Sequence, residues 1–143
     1  MKRKPMNEMT LIFPSESQNE RYARSAVSAF VAQLDPDTEE TADICTMVSE
    51  AVTNCILHAY RGTRGNVTVN TKLYEDRTVR IRVKDEGCGI ADIEQARRPL
   101  FTTDHSGERG GMGFAIMESF SDRLAVRSKV GQGTTVTMTK RLS

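Results

Sequence analysis

The sequence predicts an α+β domain: a two-layer α/β sandwich whose mainly antiparallel sheet is covered on one face by helices. Three observations predict it. Two hairpin signatures are present. In the first, Val67, Val69, Thr71 and Leu73 alternate, then Val79, Ile81 and Val83, with Glu75-Asp76-Arg77 between them. In the second, Leu124, Val126 and Ser128 alternate before Gly131-Gln132-Gly133, and Val136 and Met138 alternate after it. Helical stripes occupy the regions before and between these hairpins. The resulting order is strand, two helices, hairpin, an irregular segment, helix, hairpin. Consecutive hairpins need no crossover, so the pairing is antiparallel and the helices share one layer.

At 143 residues the chain is read as one domain, 1–143, with one core. Hydrophobic residues make up 38% and charged residues 27%, which excludes a disordered chain. The net charge of +1 argues against a general nucleic-acid surface, so no direct nucleic-acid contact is expected, although a local basic patch stays possible. Cys45, Cys55 and Cys88 form no CxxC pair, and with only His58 and His105 beside them a structural zinc site is not expected. The odd cysteine count and the lack of a secretory segment favour a cytoplasmic setting. No apolar run approaches membrane-spanning length, so no membrane contact is expected.

Residues 1–7 read as a loose basic start, and Glu8 to Phe13 as a short strand stopped by Pro14. Ser17-Gln18-Asn19-Glu20 has capping-box spacing. Behind it Tyr22, Ala23, Ala26, Val27, Phe30 and Leu34 form an apolar helical stripe, with Arg21, Arg24 and Ser28 on the other side. That polar side is either a solvated face or a partner surface using Arg for carboxylates. Asp35-Pro36 ends the helix. Asp37 and Glu40 have capping spacing for a second helix, Thr38 to Tyr60. Ile44, Val48, Ala51, Cys55 and Ala59 share one face of it, and Glu50, Asn54 and His58 follow at i, i+4, i+8 on an adjoining face. Residues 91–110 hold Pro99, Gly107 and Gly110, show no sustained period beyond a short helix at Asp92 to Arg98, and are read as a lid. A last helix covers Gly113 to Phe120.

Three polar motifs remain. Arg109-Gly110-Gly111-Met112-Gly113 opens the last helix; a helix start offers free N–H groups and positive potential, and Gly111 and Gly113 let the backbone approach closely. That suits phosphates, with Arg109 placed to grip a terminal one. Asp85 ends a strand and is followed by Gly87 and Gly89. A carboxylate only accepts, so it suits adenine's exocyclic amine and repels guanine's carbonyl, while the glycines admit a flat base. Thr134, just past the second hairpin turn, is placed to support the base through its hydroxyl or a water. Glu50 and Asn54 stand one turn apart: Asn54 offers a hard oxygen for Mg²⁺, and Glu50 a base for a hydroxyl attacking a γ-phosphate. There is no P-loop, no dinucleotide-binding turn and no eukaryotic protein-kinase signature.

E-x-x-x-N on a helix, then D-x-G-x-G, a lid and a glycine-rich G-x-G resembles the Bergerat-type (histidine-kinase-like) ATPase/kinase superfamily, which includes Hsp90, DNA gyrase B subunits, MutL and histidine kinase catalytic domains. Ser49-Glu50-Ala51-Val52-Thr53-Asn54, Pro99-Leu100-Phe101-Thr102-Thr103 and Gly111-Met112-Gly113-Phe114 resemble the sporulation anti-sigma F factors, which are serine protein kinases. The resemblance runs from about Asn7 to Lys140; Met1 to Lys4 extend beyond it, and Gly110 departs from an expected small polar residue.

The resemblance implies a homodimer that uses ATP/ADP and Mg²⁺. It implies that the protein holds sigma factor F inactive and phosphorylates an anti-anti-sigma protein on serine, which inactivates that protein. Glu50 becomes the catalytic base and Asn54 the Mg²⁺ ligand. Asp85, Gly87, Gly89 and Thr134 sit at the base, and Thr103, Arg109, Gly111, Met112 and Gly113 at the phosphates. Arg24 becomes a partner contact. A related stress-response kinase with another sigma partner, or a nucleotide-gated binding module without kinase activity, are the alternatives. The residues alone reach as far as a Mg-ATP-binding domain with a possible base for phosphotransfer. Neither His58 nor His105 precedes an acidic residue, so the phosphoacceptor is expected on another protein.

Overall fold

The computed structural model describes residues 3–97 and 113–143. Its elements run β1 (Asn7–Pro14), α1 (Gln18–Val31), a 3-10 turn (Ala32–Leu34), α2 (Thr38–Asn54), a π-helical turn (Cys55–Ala59), β2 (Asn66–Leu73), β3 (Thr78–Asp85), α3 (Ile93–Arg97), α4 (Gly113–Phe120), β4 (Arg123–Lys129) and β5 (Gly133–Arg141). The strands form one sheet in the order β1-β2-β3-β5-β4. Every pairing is antiparallel, as the two hairpin signatures require.

Register decides which side of the sheet is covered. Phe13 lies opposite Val67, Val69 opposite Val83, and Ile81 opposite Met138. With a side-chain period of two, these residues share one face, and they are buried. On that face α1 buries Ala23, Val27 and Val31, α2 buries Ile44, Met47, Val48, Ala51 and Val52, and α4 buries Met117. Helices and sheet enclose a single apolar cluster. The other face carries the charged and polar alternates, among them the exposed Arg82 and Lys84. The expected two-layer sandwich is the one observed.

The second expected cap forms as drawn. Asp37 Oδ1 accepts from the Glu40 N–H at 2.7 Å, and the Asp37 N–H donates to Glu40 Oε1 at 3.0 Å. The first does not form. Ser17 has helical backbone angles and makes no side-chain cap, because the Glu20 carboxylate instead accepts from the Ser49 hydroxyl of α2. The apolar stripe of α1 is also rotated from the expected one. Ala23, Val27, Val31 and Leu34 face the core, whereas Tyr22 is 57% exposed. The second helix stops being α-helical at Asn54, six residues before its expected end at Tyr60. The start that was expected to be loose is tied down from Arg3 onward. Arg3 stacks 4.4 Å from the Tyr74 ring centroid and meets Asp76 at 2.7 Å, and the Met6 N–H reaches the Leu73 carbonyl.

Thr71 is a flaw in this core. It sits at the centre of β2, fully buried, and its hydroxyl finds no partner. A buried hydroxyl without a hydrogen bond destabilises a fold by about 1–3 kcal/mol. Thr71→Val keeps the shape and removes the polar atom, so it is expected to stabilise the protein by about 1 kcal/mol. Urea denaturation with an unchanged m-value would show this as a higher midpoint.

Candidate nucleotide site

The described parts of the three polar motifs lie in or beside one cleft between the helical layer and the sheet: Asn54, Asp85, Gly89 and Gly113 line it, and Glu50 packs beside Gly113. It encloses about 470 Å³ and is lined by Asn54, His58, Asp85, Gly89, Gly113 and Thr134, among others. Most of its remaining wall is apolar, with Ala51, Ala59, Ile90, Phe114 and Val136. A cavity of this size with a few convergent polar groups suits a small organic ligand.

Asp85 lines this cleft. It is 5% exposed at the last position of β3. Its Oδ1 accepts from the N–H groups of Gly87 at 2.9 Å and Thr134 at 3.2 Å. Its Oδ2 accepts from the Cys55 thiol at 3.5 Å. A carboxylate has about four acceptor positions, so one remains for a ligand's donor. Burial raises the Asp85 pKa from the ordinary aspartate value, against the lowering effect of these three donors. Burial, then the Asp85 charge, push the Cys55 thiol well above its usual range, so it stays protonated and remains a donor.

The glycines after Asp85 are packed, not merely flexible. A Cβ on Gly87 would lie 2.4 Å from the Ala59 carbonyl oxygen, and one on Gly89 2.3 Å from the Lys129 carbonyl oxygen. Gly89 also takes φ +77°, a left-handed conformation that favours glycine. The Cys88 N–H donates to Ala59 O and the Gly131 N–H to Cys88 O, so this loop is pinned between the π turn and the β4–β5 hairpin. Tyr60 secures its far side: the hydroxyl donates to Asn66 O at 2.7 Å and accepts from the Glu86 N–H at 2.6 Å.

Asn54, at the end of α2, also lines the cleft, and Glu50 lies one turn before it on the same helix. Gly113, the first residue of α4, lies directly against them. A Cβ there would meet the Asn54 amide at 3.2 Å and Glu50 Oε2 at 3.4 Å. Thus the start of a helix, a carboxylate and a carboxamide share one corner. Gly113→Ala is expected to displace the Asn54 side chain by a few tenths of an ångström. ATP-dependent turnover should fall by about tenfold or more with little change in thermal stability, as read by parallel turnover and melting measurements.

Of the expected site residues, Asn54, Asp85, Gly89, Gly113 and Thr134 line the cleft, while Gly87 holds Asp85 through its N–H and Glu50 packs beside Gly113. Thr103, Arg109, Gly111 and Met112, with the lid beyond residue 97, lie outside the described residues. Within reach of description, the short helix expected at Asp92 to Arg98 is α3, and Asp92 Oδ1 caps it by accepting from the Gln95 N–H at 3.0 Å. Arg24 lies away from the cleft on α1, half-buried and 3.8 Å from Glu20.

Thr134 also supports the Asp85 carboxylate. Its backbone N–H, not its hydroxyl, holds Asp85, while the hydroxyl meets Ser128 Oγ at 2.7 Å. Ser128 itself went unnoticed in the sequence. Its hydroxyl donates to Gly133 O and accepts from the Ile90 N–H at 2.7 Å, tying the Asp85 loop to the hairpin. Cys55 was read as an apolar helix residue. The π turn shows as the i→i+5 bond from the Tyr60 N–H to Cys55 O, and π turns recur at functional sites.

Five antiparallel strands covered on one face by helices, with Asp85 and Asn54 lining one cleft and Glu50 beside it, fit one class: a histidine kinase-like ATPase domain. The family model of that description matches residues 13–140. Among curated relatives, the anti-sigma F factor of Geobacillus stearothermophilus is 53% identical over 94% of this chain and 92% of its own. That of Caldanaerobacter subterraneus is 54% identical over 94% and 93%. Among solved structures, the RsbU and RsbW domains of a Mycobacterium tuberculosis protein superpose with TM-score 0.70 at 24% identity, covering 98% of this chain and 34% of the other. A blue-light activated histidine kinase of Erythrobacter litoralis gives TM-score 0.60 at 21% identity, over 83% and 40%; both likenesses concern the fold. The chain belongs to the histidine kinase-like ATPase domain family and, within it, to the anti-sigma F factors. It is a nucleotide-binding protein of the kinase/ATPase class. Among the described residues no helix is long and apolar enough to cross a membrane.

Proposed function

We propose that this protein is an ATP-dependent protein serine kinase that also binds sporulation sigma factor F and keeps it inactive. Its kinase substrate is an anti-anti-sigma protein, which phosphorylation on serine inactivates. The observation that carries the reading is one cleft lined by Asp85, Asn54 and Gly113, with Glu50 packed beside Gly113.

In this reading Asp85 accepts from adenine's exocyclic amine, and Gly87 and Gly89 give the ring its slot. The α4 start at Gly113 faces the phosphates. Arg109, Gly111, Met112 and Thr103 join it there by resemblance, as does closure of the 91–110 lid. The donor set fits Mg²⁺: Asn54 supplies one hard oxygen beside the phosphate end. When bound, Mg²⁺ neutralises charge on the phosphates. Glu50 takes the proton from the substrate serine. That oxygen bonds to the γ-phosphorus, the bond to the bridging β–γ oxygen breaks, and ADP leaves.

The protein is proposed to act as a homodimer in the cytoplasm, with Arg24 on α1 as a partner contact. Support comes from anti-sigma F relatives matched over nearly their whole length. The test is affinity capture from a sporulating host lysate, in parallel with Mg-ATP and Mg-ADP, read by mass spectrometry. A sigma factor retained with ATP and a small anti-anti-sigma protein retained with ADP are expected. Neither protein under either nucleotide would defeat the partner assignment and leave only the ATP site.

A further inference from the structure

We propose that the helix-free face of the sheet binds the phosphate backbone of a nucleic-acid duplex. Three neighbouring strands build the surface. Arg80, Arg82 and Lys84 point outward from β3, and Arg123, Arg127 and Lys129 from β4. Between them β5 presents Thr135, Thr137 and Thr139 on the same side. The register makes this a regular pattern. Thr139 pairs with both Arg80 and Arg123, and Thr135 with both Lys84 and Arg127. Two rows of cations therefore flank one row of hydroxyls. The rows lie about 10 Å apart, and cations two residues apart along a strand are separated by about 7 Å.

Some of the protein's other cations are neutralised locally. Arg3, Arg24, Arg64, Arg97 and Lys140 each meet a carboxylate. Among the described residues, none of the six on the two rows does. The acid on this face of the strands is Glu8, at the far edge on β1. Like charges at these separations repel and destabilise the free protein, and a polyanion would offset that repulsion. The chain's net charge of +1 conceals the patch, because acidic residues lie elsewhere on the molecule.

The chemistry of the surface selects the occupant. A second copy of the face would repel the first. A protein interface needs aromatic or large apolar anchors, and the two rows with the hydroxyl row between them offer only Arg, Lys, Thr and Ala125. Ile12 is exposed on this side, but it lies on β1, beyond β2. Single-stranded nucleic acid needs aromatic platforms for its bases. Cations interleaved with hydroxyls suit phosphate oxygens alone, which fits sequence-independent contact with a duplex. The cleft opens on the other face of the sheet, so both can be occupied together.

The test is fluorescence anisotropy of a short labelled DNA duplex across about 50 to 200 mM salt. If six phosphates are contacted, affinity should fall by about 10³-fold over that range. The triple variant Arg82→Ala, Lys84→Ala, Arg127→Ala should flatten the log–log salt slope by nearly 3, at about 0.9 per lost contact. ATP affinity of the same variant should be unchanged, which checks its fold; the Gln variants at these three positions provide a second set. Absence of binding at low salt, or an unaltered slope in both variant sets, would overturn the proposal. So would displacement by poly-glutamate as effective as by unlabelled duplex, which would mark an acidic-protein surface.

Discussion

Asp85→Asn is expected to weaken ATP binding by about 100-fold or more while changing the stability of the apo protein little, because removing a buried charge offsets the loss of the Cys55 thiol's acceptor. The two effects separate because the carboxylate oxygens have different duties. Oδ1 accepts from the Gly87 and Thr134 backbones, and an asparagine carbonyl can accept both. Oδ2 faces the Cys55 thiol and the cleft. Replacing it by an NH₂ group sets a donor against adenine's own donor. The loss of a charge-assisted bond, together with a donor left unpaired, exceeds about 2.7 kcal/mol, which is the stated hundredfold. Meanwhile the buried charge disappears. The Asp85 pKa is raised in the folded state, so the folded protein holds this proton more tightly than the unfolded chain does. Its contribution to stability is therefore full below the unfolded pKa and is lost as pH rises through the folded value. Above the folded value the neutral asparagine avoids that cost. Calorimetric titration with ATP, beside thermal melts of both apo proteins, measures the two effects together. The same carboxylate makes ATP affinity pH-dependent: it should fall as pH drops through the raised Asp85 pKa, and this dependence should vanish in the variant.

Glu50→Gln is expected to show the opposite pattern. ATP affinity should stay within about twofold, while phosphotransfer falls by about 10²–10⁴-fold, the usual contribution of a positioned general base. The glutamine is isosteric, so the close packing of Gly113 against Glu50 Oε2 and the Asn54 amide is preserved. What is lost is the ability to take a proton. Single-turnover transfer at saturating Mg-ATP separates this from a binding defect. Together the variants assign recognition to Asp85 and chemistry to Glu50.

Much of this site was readable from residues alone, because it rests on local patterns. Alternation set both hairpins and placed Asp85 at a strand end. Helical spacing set Glu50 and Asn54 one turn apart. The features that were missed depend on distant partners. The spacing of Ser17 and Glu20 matches that of Asp37 and Glu40, but only the second pair forms a capping box. Ser49, far along the chain, takes the Glu20 carboxylate. The π turn at Cys55–Ala59 adds a residue to one turn without any distinctive composition, and it brings Cys55 onto Asp85. Ser128 looked like one more strand residue until the register placed it opposite Thr134. The basic rows were present in the sequence as ordinary alternation; only the order β3-β5-β4 shows that they flank one row of threonines.

The central claim is that this cleft transfers the γ-phosphoryl group of ATP to a serine on a second protein. Its most direct test is mass spectrometry of the anti-anti-sigma protein after incubation with Mg-ATP and either the wild-type protein or Glu50→Gln. The account predicts one phosphoserine with the wild type and almost none with the variant, although both bind ATP. No phosphoserine with an ATP-binding wild type, or equal modification by both proteins, would contradict it.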